Sequence, residues 1–355
     1  MTRGAEHKEK RALLGLEAAE ISSLLPPSAP AYTARQIRAF CLDGREIAEM
    51  TSLPKSLRET LSHDLVALPL TTETVRISAD GSKKYLFRFL GGDLAESVYI
   101  PHDYGASVCV STQIGCKMGC AFCASGKEGF KRDLDPAEML AEVVAVNRDA
   151  GGTAKKRAVS GVVLMGSGEP LDNYDNVREF VRLLTAEDGF GLSERSVTLS
   201  TSGLADGIRR LADDGSRMTL SVSLHATTDE ARSAIMPVNR RYPISEVVSA
   251  ARYYFEKTGR RVTFEYTLIS GVNDSPADAE RLTALLRGFP AHVNIIRLNA
   301  VEGSTLKATT LTAAARFAAL LTKKGLPATV RRSLGSDIEG ACGQLKRRYT
   351  GEDGE

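Results

Sequence analysis

A chain of 355 residues exceeds one average domain and suits about two or three units, and its 43% hydrophobic and 25% charged residues exclude wholesale disorder, collagen-like repetition and a small disulfide scaffold. Lysine plus arginine exceeds aspartate plus glutamate by 46 − 44 = 2, so the mean charge neither demands nor excludes a polyanionic partner. No apolar stretch approaches the roughly 20 residues that span a bilayer, and the opening MTRGAEHKEKRALLGLEAAE lacks the apolar run of a secretory signal, so a cytoplasmic protein with no membrane partner is expected.

In chain order, LLGLEAAEISSLL carries apolar residues at helical spacing, Pro26 and Pro27 interrupt it, and ARQIRAFCLDG and PKSLRETLSHDLVAL resume it. These predict a small helical N-terminal domain over residues 1–70. The period then shortens to strand-like runs, TVRIS, KYLFRFL and AESVYIP, with turn signals at Asp80-Gly81 and Gly91-Gly92-Asp93. A β-meander linker over 71–104 is expected. From 105 to 335, β-rich runs (ASVCVST, GVVLMG, SVTLSTS, TLSVSLHA, RVTFEYTLI, VNIIRLN, ATVRRS) alternate with amphipathic segments such as DPAEMLAEVVAVNRDA and ISEVVSAARYYFEKTG. That alternation predicts an α/β architecture with a parallel sheet, open or closed into a barrel. Polar and glycine residues follow the strands at Gly166-Ser167-Gly168-Glu169-Pro170, Ser200-Thr201-Ser202-Gly203, His225 and Asn299, the rim where parallel barrels collect functional groups.

Four of the six cysteines, Cys109, Cys116, Cys120 and Cys123, fall within fifteen positions, while Cys41 and Cys342 stand apart. Such grouping suits chemistry rather than stapling, and Cys41, without neighbours of this kind, reads as structural. Cys116-Lys-Met-Gly-Cys120-Ala-Phe-Cys123 is a CxxxCxxC able to hold a soft metal centre. A structural zinc would require a fourth ligand; three local thiolates leave one coordination position open.

This motif resembles that of the radical S-adenosylmethionine (radical SAM) superfamily, in which CxxxCxxC binds a [4Fe-4S] cluster whose fourth iron takes the amino and carboxylate groups of S-adenosylmethionine. ESVYIP, CVSTQIGCKMGCAFCASGKEGF, GSGEPLDNYDNV, GLSERSVTLSTSG, SVSLHA, GRRVTFEYTLISGVND and GSDIEGACGQL extend the resemblance over nearly the whole chain, to the RlmN/Cfr family of RNA adenine methyltransferases and its RlmN type in particular. The resemblance implies a partial (β/α)6 TIM-like barrel, an RNA-binding role for the N-terminal domain and a C-terminal loop, 336–355, that carries a methyl group. It further implies that Cys116, Cys120 and Cys123 hold the cluster, and that Gly168, Glu169, Ser200, Ser223, Leu224, His225 and Asn299 contact S-adenosylmethionine.

Adenine C2 lies between two ring nitrogens and is too electron-poor to attack an electrophilic methyl group, whereas a carbon radical can attack it. The family's solution, carried onto this chain, makes Cys342 an S-methylcysteine carrier that takes its methyl from one S-adenosylmethionine. A 5′-deoxyadenosyl radical from a second then abstracts hydrogen from that methyl group, and the methylene radical adds to the base. Cys109 is the resolving cysteine, forming a transient disulfide with Cys342, and Glu96 is the base that takes the C2 proton. Taken singly, each has a plainer reading: Cys109 as a small buried hydrophobe, Cys342 as a buried cap, Glu96 as a solvent-facing residue.

Basic pairs at Lys131-Arg132, Lys155-Lys156-Arg157, Arg240-Arg241, Arg260-Arg261, Lys323-Lys324, Arg331-Arg332 and Lys346-Arg347-Arg348 could grip phosphates if they share the cluster rim. The family implies 23S ribosomal RNA as partner, modified in the peptidyl-transferase region, in some members also tRNA next to the anticodon, and an electron donor such as flavodoxin or ferredoxin. Arg297 and Ala300 stand where the family commonly has prolines, and an arginine at the former also occurs in the Cfr type, which methylates adenine C8. The C8 enzyme and a non-catalytic RNA-binding zinc protein are the alternatives; Gly168-Glu169-Pro170-Leu171 and Ser200-Thr201-Ser202-Gly203 favour the C2 enzyme.

Overall fold

The computed structural model describes residues 10–103, 105–127, 129–299, 301 and 304–344. Ala300 and the Lys346-Arg347-Arg348 cluster lie outside the described residues. Among its described residues the N-terminal region holds three α-helices, α1 (Ala18–Ser23), α2 (Thr33–Leu42) and α3 (Lys55–Asp64). The first is shorter than its apolar spacing predicts. Leu13 and Leu14 instead donate their amides to Val66 and Ala67 carbonyls at 2.9 and 3.0 Å, and Gly15 at φ 92° turns the chain before Glu17 and Glu20 cap the helix reciprocally. The buried faces of these helices join the main core through Ile21, Ile37, Cys41 and Leu61, so the region packs on the rest of the protein.

The sheet has ten strands, each hydrogen-bonded to the next in chain order. β1 (Leu70–Ile77), β2 (Lys83–Phe89) and β3 (Leu94–His102) form the antiparallel meander, and β3 pairs antiparallel with β4 (Gly105–Cys109), which makes the meander an extension of the main sheet. From β4 onward the strands are parallel: β5 (Gly161–Leu164), β6 (Val197–Thr201), β7 (Thr219–Ser223), β8 (Val262–Leu268), β9 (Ala291–Arg297) and β10 (Ala328–Val330). Their crossovers carry α4 (Pro136–Asp149), α5 (Tyr174–Thr185), α6 (Ala205–Asp213), α7 (Asp229–Ile235) with α8 (Ile244–Thr258), α9 (Pro276–Leu285) and α10 (Leu311–Lys323). This is the α/β architecture of an open, partial barrel, since the edge strands β1 and β10 do not pair. The starts of α4 and α9 are written locally: Asp135 and Ser275 cap the helices, proline follows each, and Glu138 and Asp278 close the capping boxes.

On one face of β2, β3 and β4, Tyr85, Phe87, Ala95 and Val108 pack into the core. There too lies a buried carboxyl. Glu142 of α4 accepts hydrogen bonds from the Ser97 hydroxyl and, at 3.0 Å, from the Ser111 amide, while its Oε1 has no hydrogen-bond partner among the described residues. Burial pushes its carboxyl well above the ordinary 4.5, so as pH rises past that value the native state keeps a proton that the unfolded chain releases. Native stability must then fall as pH rises above about 4.5. Glu142→Gln, neutral at every pH, should gain on the wild type as pH rises above about 4.5, the range in which the unfolded chain releases the proton that the native state keeps. Parallel thermal-unfolding profiles for the two proteins over that range would sink this expectation.

Candidate active site

Beyond β4 the chain turns through Gly115, whose φ of 74° and approach to the Gly129 carbonyl leave no room for a side chain: a Cβ would lie 1.7 Å from that oxygen. The Cys123 amide donates to the Cys120 carbonyl at 3.1 Å and the Ala121 amide to the Ile235 carbonyl at 2.9 Å, folding the loop over the rim of the sheet. Cys116, Cys120 and Cys123 thereby line one cleft, which encloses about 900 Å³ including its open mouth. All three are free thiols. Burial pushes the Cys116 thiol up to about 12 and raises Cys120 and Cys123 as well, so only a bound cationic centre would hold the three as thiolates. Among the described residues, no three His, Cys, Asp or Glu side chains are gathered around a single-ion site, as a closed zinc centre requires. Three soft sulfur donors along one cleft suit a [4Fe-4S] cluster, in which each cysteine takes a different iron.

Gly168, Glu169, Ser200, Ser223, His225 and Asn299 line the same cleft. Gly168 has φ 107° and a Cβ there would sit 2.7 Å from both Gln113 Cβ and Thr112 Oγ1, so only glycine lets this loop lie against the cluster loop. Glu169 is buried, and its carboxylate accepts from the Ser202 amide at 2.6 Å and the Leu171 amide at 3.1 Å. His225 takes the left-handed φ of 55°. Its Nδ1 accepts from the Thr267 amide at 2.9 Å, which places the ring proton on Nε2, and its ring meets Phe122 of the cluster loop edge-on at 4.7 Å. Burial depresses its pKa to about 3, so the imidazole is neutral. Leu224 does not line the cleft; its side chain is buried in the core, and its backbone joins the rim by donating to Glu265 O and accepting from Arg232. Arg232, fully buried, also donates to the Ser202 and Ser223 carbonyls at 2.6 and 3.0 Å, tying together the ends of β6 and β7.

Two further cysteines, Cys109 and Cys342, line a second, wider chamber. Cys342 is exposed and lines both the cluster cleft and this chamber, whereas Cys109 is buried and lines only the second. Cys342 is held from both sides: its carbonyl accepts from Asn299 Nδ2 at 3.0 Å, and the Gly343 carbonyl accepts from the Ala124 amide at 2.8 Å, next to Cys123. The Asn299 amide is thus engaged by the loop, with its Oδ1 accepting from Ser333 at 2.5 Å. Both Cys109 and Cys342 are free thiols. Burial pushes the Cys109 thiol far above the ordinary 9.0, and it does not line the cluster cleft.

Arg331 lines both chambers and is anchored to Glu265, 3.5 Å from Nη1, while resting against Met165 Sδ at 3.7 Å. Sequence reasoning placed it only in a basic pair. Nothing in its local pattern marks the partner, since Glu265 comes from β8. Arg297 and Arg332 line the second chamber too. Other basic pairs are spent internally: Lys131 and Arg132 pair with Asp93, Arg132 also with Glu138, and Lys324 with Glu280 at 3.2 Å. Glu96 lines neither chamber. It is buried on the same sheet face as Cys109 and paired with Lys84 at 3.0 Å, so the solvent-facing reading fails.

Residues 110–282 match the radical SAM superfamily. Over 320 residues the chain is 44% identical to a "Probable dual-specificity RNA methyltransferase RlmN" of Clostridium botulinum (strain Eklund 17B / Type B), covering 90% of this chain and 91% of that one. A protein of the same description from Heliobacterium modesticaldum is 41% identical across 99% of this chain and 93% of its own. The crystal structure of a radical SAM methyltransferase from Sphaerobacter thermophilus superposes with a TM-score of 0.89 at 44% identity, covering 95% of this chain and all of that one. With the cluster loop, the glycine-glutamate turn and the two-chamber rim in place, the chain belongs to the RlmN family of radical SAM methyltransferases, whose cofactors are a [4Fe-4S] cluster and S-adenosylmethionine.

Proposed function

We propose that this RNA methyltransferase acts on adenine C2, at adenosine 2503 of 23S ribosomal RNA and at adenosine 37 of tRNA, through a methyl group carried on Cys342 and with two S-adenosylmethionine molecules per turnover. The observation that carries the reading is the place of Cys342, the one exposed thiol, on the boundary between the cluster cleft and the chamber that holds Cys109. When bound, the cluster and S-adenosylmethionine supply the methyl group and the radical chemistry. Cys116, Cys120 and Cys123 hold the cluster, and Gly168, Glu169, Ser200, the Ser223–His225 strand end and Asn299 seat S-adenosylmethionine. Cys342 presents its sulfur to the cleft as methyl acceptor and to the second chamber as carrier.

In that chamber the target base, turned out of its stack, meets apolar walls of Ile100, Val163 and Met165, with Arg297 and Arg332 set to meet flanking phosphates. Cys109 resolves the carrier by disulfide formation, and Glu96, outside the chamber lining but diagonal to Cys109 on the same sheet face, accepts the C2 proton. The N-terminal domain over residues 1–70, described from residue 10, serves as the RNA accessory domain, and 336–355, described to residue 344, carries Cys342. No helix among the described residues is long and apolar enough to cross a membrane; we place the enzyme in the cytoplasm, with 23S ribosomal RNA or tRNA as partner and flavodoxin or ferredoxin as electron donor.

Mass spectrometry of nucleosides from RNA treated with the cluster-loaded enzyme tests this reading. The expected product is 2-methyladenosine. Recovery of 8-methyladenosine would replace the C2 assignment with the Cfr-type reaction, and unmodified RNA under reducing conditions would remove both.

A further inference from the structure

Lys84 and Glu96 form an ion pair at 3.0 Å with side chains only 8% and 5% exposed. Burying both charges carries a large desolvation cost, and such a pair adds little net stability over apolar residues of the same shape. Its consequence is therefore geometric. The pairing register sets Lys84 against Val98 and Val98 against Cys109, so lysine and resolving cysteine occupy one row of one sheet face. Glu96 lies two residues from Val98 on that face, diagonal to Cys109, a separation of about 7–8 Å between backbones.

The same ammonium reaches the C-terminal loop. Lys84 Nζ lies 3.5 Å from the carbonyl of Glu339, three residues before Cys342. That loop is pinned to the β1–β2 turn beside it: the Ser78 hydroxyl donates to Asp337 at 2.6 Å, and the Gly335 amide to Asp80 at 2.8 Å. One lysine thus touches both the carboxylate and the segment bearing the methyl carrier.

We infer that Lys84 is a positioning residue for the methyl-transfer reaction, fixing the Glu96 carboxylate on the Cys109 face and tying its place to the seated carrier loop. This rests on the proposed role of Glu96 as proton acceptor and deepens it. Lys84 makes and breaks no bond in the reaction. Its effect falls after the base has been attacked and before the product is freed, because methyl transfer onto Cys342 does not use Glu96.

The test uses the full-length, cluster-loaded enzyme with an RNA stem-loop and three readouts: methyl on Cys342 by peptide mass spectrometry, covalent protein–RNA adduct on denaturing gels, and methylated product. For Lys84→Met the expected result is Cys342 methylation within about twofold of wild type, product formation down by about tenfold or more, and accumulated adduct. Lys84→Arg, which keeps the cation, should recover most of the loss. Wild-type turnover by Lys84→Met would overturn the inference, as would lost turnover without adduct.

Since Lys84→Met removes the cation from a buried ion pair and can fail to fold, Lys84→Met combined with Glu96→Gln carries the test independently. If Lys84 acts through Glu96, the double variant matches Glu96→Gln alone within about twofold; a further tenfold loss would overturn the inference. Full turnover by Glu96→Gln removes the underlying base assignment, an outcome distinct from a silent Lys84→Met beside an impaired Glu96→Gln.

Discussion

Cys109→Ala should leave the enzyme covalently joined to its RNA. Methylation of Cys342 and attack on the base proceed without Cys109, which does not line the cluster cleft, so the first visible loss is release. Once Cys342 is bonded to the base through its methylene, only a second sulfur in reach can form the disulfide that frees the product. Cys109 is the cysteine that shares the second chamber with it. Cys41 is buried in the core, and Cys116, Cys120 and Cys123 line the other cleft, where the proposed reading assigns them to the cluster. Turnover should fall on the order of 10³-fold or more, while a stoichiometric protein–RNA species appears on denaturing gels and resists added reductant. Absence of that species under reducing, turnover conditions would remove Cys109 from the resolving role. The variant should fold, since a buried sulfur replaced by a methyl group costs only a small cavity beside Val98 and Val163.

Cys342→Ala should abolish product with no adduct and no methylated protein, yet retain a full cluster. The residue is exposed, contributes its backbone carbonyl rather than its sulfur to the Asn299 contact, and is not one of the three cluster thiols, so its loss changes stability by about 0.5 kcal/mol or less. The two cysteine variants therefore stop at opposite ends of one sequence of events, and alanine at both positions should behave as Cys342→Ala alone. Iron content and visible absorption report the cluster, and peptide mass spectrometry reports the methyl group. Full activity in Cys342→Ala would end the covalent mechanism, whatever the cluster does.

How much of this was legible in the chain differs from residue to residue. Cys116, Cys120 and Cys123 lie within eight positions, and a loop that short brings its thiols to one cleft with little help from the rest of the fold. Strand and helix periods gave the alternation from β4 to β10, because burial on both sheet faces leaves apolar runs that any window can read. The early helix was overread: LLGLEAAEISSLL has the helical period, but tertiary pairing of Leu13 and Leu14 with Val66 and Ala67 overrides it. Glu96 gave no local sign of burial, since its neighbours in AESVYIP read equally well with either face outward.

The sequence by itself thus determined the three neighbouring thiols of one cleft, the rim glycines and the parallel α/β plan, all of them properties of short windows governed by local spacing and periodicity. Only the tertiary structure decided which distant groups share a chamber. Cys109 and Cys342 meet because β4 stands within the sheet while the C-terminal loop returns across its rim, Arg331 finds Glu265 from β8, and Lys84 finds Glu96 because antiparallel register sets which side chains lie on one face. Such pairings depend on strand order and register, which fix spatial neighbours irrespective of distance along the chain.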